Sequence, residues 1–381
     1  MNTVPVTPFI ELVKNEYDYC KGIAAEGKKI IGYFCTYTPV ELLHSMGIMP
    51  LRISGSSRAA MRAYSLVPSF ICPYMRGVLE KGLNGEYSFL DGIVQGYTCD
   101  AACGIVNIWE ENIGGGLFYS LPLPYNDNSR SRAFFRSRIL DLIEKLESVG
   151  GSFSEERLKK SLDAYARVRQ RSLDLYRMRY AGRLPLAARD FLYVLLAGFI
   201  APPEKYMTML DTLSSDLAGA DAPESDSVPV FVSGSIIESP EIFEMIEASG
   251  GMLVGDDLCT GYRNLSPLSG NGKDPIDALI DRYMRRIPCP ARNRVSDRVQ
   301  PLRSLVGESG AKGVIFLFQK FCTPHLADHP ALGRELRMSG VPSIGIEIEE
   351  SMVEAGQMKT RLEGFIEMIR QSPQADDVRP A

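Results

Sequence analysis

Short apolar runs bounded by glycine and proline turns fill two stretches of the chain, and a helical apolar period fills the stretch between them. From about 29 to 125 the runs KKIIGYFCTYTP, ELLHSMGIMPLRIS and FLDGIVQGYTCD read as buried strands alternating with helices. From about 130 to 215 the period lengthens: SRAFFRSRILDLIEKLESVG has apolar residues at helical spacing and stops at Gly150–Gly151. Ser154, followed by Glu155 and Glu156, opens a long amphipathic helix, SEERLKKSLDAYARVRQRSLDLYRMR. The segment SSDLAGADAPESDSVP, over about 214–229, reads as a linker. Beyond it VPVFVSG, GMLVGDD, GVIFLFQKFC and PSIGIEIEE read as strands and SPEIFEMIEASG as a capped helix. Strand, helix, strand in that order implies parallel pairing through right-handed crossovers.

The pattern predicts an α/β protein: two Rossmann-like parallel-sheet units with a helical segment between them, divided as 1–128, 129–226 and 227–381. Open sheets of this kind bind ligands at the carboxyl ends of their strands. Cys35 follows IIGYF, Cys99 follows GIVQGYT, Asp256, Asp257 and Cys259 follow GMLVG, and Cys322 follows VIFLFQKF. Cys72, after SLVPSFI, is a weaker case of the same placement. Thiols from both units are thus expected to line one cleft.

Composition narrows the chemistry. The chain has 381 residues, 45% hydrophobic and 23% charged, which fits a globular protein and excludes a disordered or coiled-coil chain. Its 42 basic and 47 acidic residues give a formal charge of −5, so no nucleic-acid partner is expected. No apolar run reaches the ~18 residues of a membrane span, and the start carries no secretion signal. A cytoplasmic protein with no membrane partner is the expectation. Eight cysteines in a reducing compartment are thiols, available for packing, catalysis or metal ligation. None forms a CxxC pair, so any cluster must be assembled from distant segments. Three thiolates around a cubane leave its fourth iron open, and Cys72, Cys99 and Cys322 are the best three. Cys103, a helical turn after Cys99, is the alternative ligand; Cys20, Cys35, Cys259 and Cys289 read as structural thiols.

The segments GYFCTYTPVELLHSMGIMPLRISG, CPYMRGVLEKGL with LDGIVQGYTCD, VFVSGSIIESPEIFEMIEASGG, GDDLCTGYR, GVIFLFQKFCTPH and GQMKTRLEGFIEMI, in that order, resemble the 2-hydroxyacyl-CoA dehydratase and benzoyl-CoA reductase subunit family. The resemblance implies a 4Fe-4S cluster held by Cys72, Cys99 and Cys322, and CTP in place of the frequent CDP leaves the last thiolate untouched. It also implies a homologous second subunit, an acyl-CoA substrate and an ATP-dependent activator with its own cluster that injects one electron. A 2-hydroxyacyl-CoA would then lose water through a ketyl-type radical, because the added electron reverses the carbonyl's polarity and acidifies an otherwise inert β-proton. Reduction of an aroyl-CoA ring is the alternative, and a double-cubane reductase or a non-catalytic partner subunit is a further one. Glu41 and His44, after Pro39, are the candidates for proton transfer; the competing reading puts Glu41 in the first helical turn as a partner of the helix dipole. Arg76 and Arg263 read as contacts for CoA phosphates or the activator, or as solvated arginines, and His325 and His329 as surface or capping residues. No GxxxxGK[ST] loop is present, so ATP is not expected to bind this chain.

Overall fold

The computed structural model describes residues 6–55, 60–218, 226–266, 274–349 and 355–371. The apolar runs form two four-stranded sheets. The first contains β1 (Ile30–Tyr33), β2 (Met49–Arg52), β3 (Gly92–Gly96) and β4 (Leu117–Leu121) in the order β2-β1-β3-β4. The second contains β5 (Val228–Gly234), β6 (Gly251–Asp256), β7 (Gly313–Gln319) and β8 (Ser343–Ile348) in the order β6-β5-β7-β8. Every pairing is parallel. The two sheets therefore share one topology, the α/β architecture that the periodicity implies.

Both faces of each sheet are covered. Ile30 and Ile31 are fully buried but belong to different cores, and Val230 and Val232 pack on one side of β5 while Phe231 packs on the other. Strands buried on both faces have continuous rather than alternating apolar runs, hence IIGY and VIFLF. In each sheet the chain reverses its winding direction between the first and third strands, so a crevice opens there at the carboxyl ends.

Between the sheets lie the helices Ser129–Ser148, Glu155–Tyr180, Ala188–Ala197 and Pro203–Leu217. The Ser154 hydroxyl accepts from the Arg157 amide at 3.5 Å, as its cap position predicts. The helix it opens has 26 residues, roughly 39 Å at 1.5 Å per residue, and reaches from the helix Val40–Ser45 beside the first sheet to β6 in the second. The centre of the expected linker, 219–225, lies outside the described residues; on either side a helix ends at Leu217 and β5 begins at Val228.

Candidate functional site

Four cysteines stand just past strand ends. Cys35 is two residues beyond β1, and Cys99, Cys259 and Cys322 are each three residues beyond β3, β6 and β7. Cys72 differs: no strand precedes it, and it is reached from a turn whose Ser69 and Ile71 carbonyls accept from Arg76 Nη1. Arg76 is buried and lies over the Tyr64 ring, so it is not solvated; it holds the loop that delivers Cys72.

Cys72, Cys99 and Cys322 share one local geometry. Each is the residue before a helix: Pro73–Leu83, Asp100–Asn112 and Thr323–Met338. Three helix N-termini thus direct their partial positive charge at three sulfurs, which favours thiolates and any anionic group bound to them. Cys322 follows Phe321, whose φ of 63° is a left-handed conformation rarely adopted by an aromatic residue. The sharp turn brings Cys322 to the helix start immediately after the strand.

The first sheet aims its thiol by hydrogen bonds. The Gln95 side-chain oxygen on β3 accepts from the amides of Phe34 at 2.9 Å and Cys35 at 3.1 Å. Thr38 Oγ1 donates to the Val94 carbonyl at 3.0 Å and accepts from the Gly96 amide at 3.1 Å. A Cβ on Gly96 would stand 2.8 Å from the Tyr37 backbone, so glycine is what lets β3 approach the Cys35 loop.

The thiols act on one another. Burial raises the pKa of Cys99, the Ala102 amide opposes this, and the neighbouring Cys35, Cys322 and Cys72 sulfurs add to it. Cys322 is raised by burial and then by Cys72, with smaller contributions from Cys259 and Cys289. Cys35 is pushed up to about 11, by burial and then by Cys289 and Cys259. Six sulfurs therefore act on one another, and all eight cysteines are thiols rather than disulfides. Cys103 sits apart: its neighbours are Thr98 and Asp100. Cys20 packs in the core beside Glu16.

Among the described residues, no three His, Cys, Asp or Glu side chains close on a point as the ligands of a single metal ion do. A cubane asks for a wider triangle, since each thiolate binds a different iron. Thiol donors that face one another across helix N-termini, half-buried and unoxidised, suit that group.

The rim is aromatic. Phe70, Tyr97 and Phe321, each one or two residues before one of these cysteines, are 65%, 49% and 39% exposed. A cleft of about 390 Å³ lies at the carboxyl ends of β2, β7 and β8, lined in part by Arg52, Ser54, Tyr74, Lys81, Glu238 and Gln319. Ser54 Oγ donates to Glu16 at 2.9 Å and receives Lys81 Nζ at 2.7 Å, and Arg52 pairs with Glu238.

Glu41 has no exposed surface, and its partners come from elsewhere: Arg169 at 2.7 Å, Tyr283 Oη at 2.6 Å and Arg282 at 3.9 Å. Burial alone would raise its pKa, but the two arginines and the tyrosine reverse this and hold it below the usual carboxylate value. His44 bonds Ser161 Oγ at 2.9 Å and lies 3.4 Å from Glu204. A cavity of about 50 Å³ is lined by Thr36 and Thr260, next in sequence to Cys35 and Cys259, and by Arg169, Arg282 and Tyr283, the partners of Glu41.

Two functional candidates, Arg286 and Arg292, escape a reading of the sequence, and two others, Arg263 and His325, lie where that reading does not put them. Arg263, Arg286, Arg292 and His325 are all buried around the thiols, where isolated basic residues in a sequence read as solvated. Arg286 bonds Thr36 and lies over the Tyr37 ring, and Arg292 lies over the same ring. His325 is buried at the Cys322 turn rather than at the surface.

A family model described as 2-hydroxyglutaryl-CoA dehydratase, D-component, matches residues 35–369. The chain is 25% identical over 366 residues to the (R)-phenyllactyl-CoA dehydratase beta subunit of Clostridium sporogenes, an alignment covering 95% of this chain and 97% of that one. It is 26% identical to a benzoyl-CoA reductase subunit of Thauera aromatica, covering 88% and 89%. The beta subunit of lactoyl-CoA dehydratase from Anaerotignum propionicum matches at 25%, covering 91% and 93%. With the model spanning the thiol loops of both sheets, the chain belongs to the 2-hydroxyglutaryl-CoA dehydratase D-component family.

Proposed function

We propose that this chain is the iron-sulfur subunit of a 2-hydroxyacyl-CoA dehydratase and that Cys72, Cys99 and Cys322 hold a 4Fe-4S cluster. The observation that carries the reading is that each of these three remote cysteines immediately precedes a helix, with its sulfur acting electrostatically on the others, in a chain of this family. When bound, such a cluster supplies a low-potential electron and, at its fourth iron, an open Lewis-acid position.

The chain's own residues do the rest. Helix N-termini favour the anionic centre, and the two sheets bury it. The cleft at the carboxyl ends of β2, β7 and β8 takes the thioester, with Lys81 as a donor toward it. Glu41, kept ionised by its arginines, is the candidate to accept the β-proton across the small cavity, and His44 is the second candidate. Relatives that are themselves named as subunits support a homologous second subunit. The electron comes from a separate ATP-dependent activator, since no phosphate loop is encoded here.

Two observations support other readings. Identity to the benzoyl-CoA reductase relative, at 26%, is as high as that to the dehydratases, which supports ring reduction of an aroyl-CoA. Cys35, Cys259 and Cys289 supply a second trio of thiols, which supports a double-cubane reductase. The chain, its partner subunit and the activator, combined without oxygen, are to be given a 2-hydroxyacyl-CoA and benzoyl-CoA in turn. Formation of the 2-enoyl-CoA is expected. Ring reduction without loss of water would contradict the proposal, and about eight irons per chain would favour the double cubane.

A further inference from the structure

We infer that Arg263 and His325 form a buried arm that sets the electron affinity of the centre held by Cys322: the arginine fixes the imidazole tautomer, and the imidazole donates Nδ1–H to the Cys322 sulfur. The inference rests on the reading of Cys322 as a cluster ligand and assigns to two residues of this chain a positioning role toward that ligand.

Arg263 is 1% exposed and spends its guanidinium entirely inside the protein. Nη2 donates to the Gly234 carbonyl at 3.1 Å and pairs with Asp257 at 3.2 Å. Nη1 donates to Cys259 Sγ at 3.2 Å and lies 3.4 Å from His325 Nε2. A guanidinium has donors and no acceptor, so the ring nitrogen that faces it must offer a lone pair. The single proton of the neutral ring then sits on Nδ1, which is 3.4 Å from Cys322 Sγ.

The opposite tautomer has little to recommend it. The Gly234 carbonyl, which accepts from Arg263 Nη2, also faces the imidazole, but an Nε2–H would point at the fixed positive charge of Arg263. A hydrogen bond to a ligand sulfur stabilises the more negative, reduced state of the centre and raises its potential. The same guanidinium touches Cys259, so Arg263 ties the predicted ligand trio to the second group of thiols.

Nitrogen-15 NMR of the full chain labelled at its three histidines reads the tautomer directly, with and without iron. The expected result is an Nδ1–H tautomer at His325, and an Nε2–H tautomer would overturn the proposal. The second measurement is the midpoint potential of the iron-loaded protein. H325L should shift it downward by about a tenfold change in the equilibrium, ~59 mV for one electron. H325N should restore most of this, because the Asn amide places an N–H near the position of Nδ1. An unchanged potential in H325L at full iron content would overturn the arm. The tautomer is readable without a cluster, so a chain that binds no iron defeats the proposal through its ligand assignment, while a wrong tautomer defeats it at the imidazole.

Discussion

Glu41 shows how a buried charge works in this protein. It is fully enclosed yet ionised, because Arg169 and Tyr283 reach it from 128 and 242 positions along the sequence. Removing one partner of a buried ion pair leaves the others uncompensated, so E41Q is expected to cost ~3–5 kcal/mol at neutral pH. The sign with pH follows from the lowered pKa of the folded carboxyl. Its stabilisation is complete above the unfolded value of ~4.3 and is lost as pH falls through the folded value. Melting curves of wild type and E41Q should therefore converge in acid, and a pH-independent gap between them would contradict the ion-pair account. The sequence indicated that Glu41 begins a helix, but nothing local announces partners so distant. The same holds for Arg76 and Arg263, whose burial depends on carbonyls and carboxylates brought together only by the fold.

At the scale of elements, much of the site was legible because strand ends are readable. IIGYF, GIVQGYT and VIFLFQKF locate β1, β3 and β7 within a few residues, and parallel winding then places Cys35 and Cys99 at the carboxyl edge of the first sheet and Cys322 at that of the second. Cys72 was harder to place, since its approach is an irregular turn secured by an arginine. Cys289 was harder still, because it lies in a loop with no period. Close approach of the elements can be tested at β3. G96A would put a methyl 2.8 Å from the Tyr37 backbone and displace the loop that carries Cys35. Such overpacking costs ~1–3 kcal/mol, seen as a lower Tm; a melting temperature equal to wild type would mean the strand and loop are not held so tightly.

At the scale of the whole molecule, the segment between β6 and β7 is tied back to the loops of the first sheet by polar bonds as well as by apolar contact. Tyr283 Oη bonds the Thr38 carbonyl at 2.8 Å, Arg286 Nη2 bonds Thr36 Oγ1 at 3.0 Å, and Arg285 pairs with Asp127 at 2.8 Å. With the thiol loops held across this junction, calorimetry should show one unfolding transition; two resolved transitions would mean that the sheets melt independently. The exposed aromatic rim makes a second prediction. If Phe70 and Tyr97 lie under the second subunit, F70S should weaken co-purification of the pair while changing the chain's own stability by no more than ~0.5 kcal/mol. Unaltered association would place the partner elsewhere. Two parallel-sheet units were implied by the repeated strand and helix pattern, whereas their matching strand order and these ties were not, because each tie joins residues far apart in sequence.

The most direct test is to count iron and acid-labile sulfide in the chain purified without oxygen, beside single serine variants of its cysteines. About four of each per chain are expected in wild type, C20S and C103S, and a clear loss in C72S, C99S and C322S. Full iron in any of the last three, or its loss in C103S alone, would contradict the assignment of the cluster to the three thiols at the helix starts.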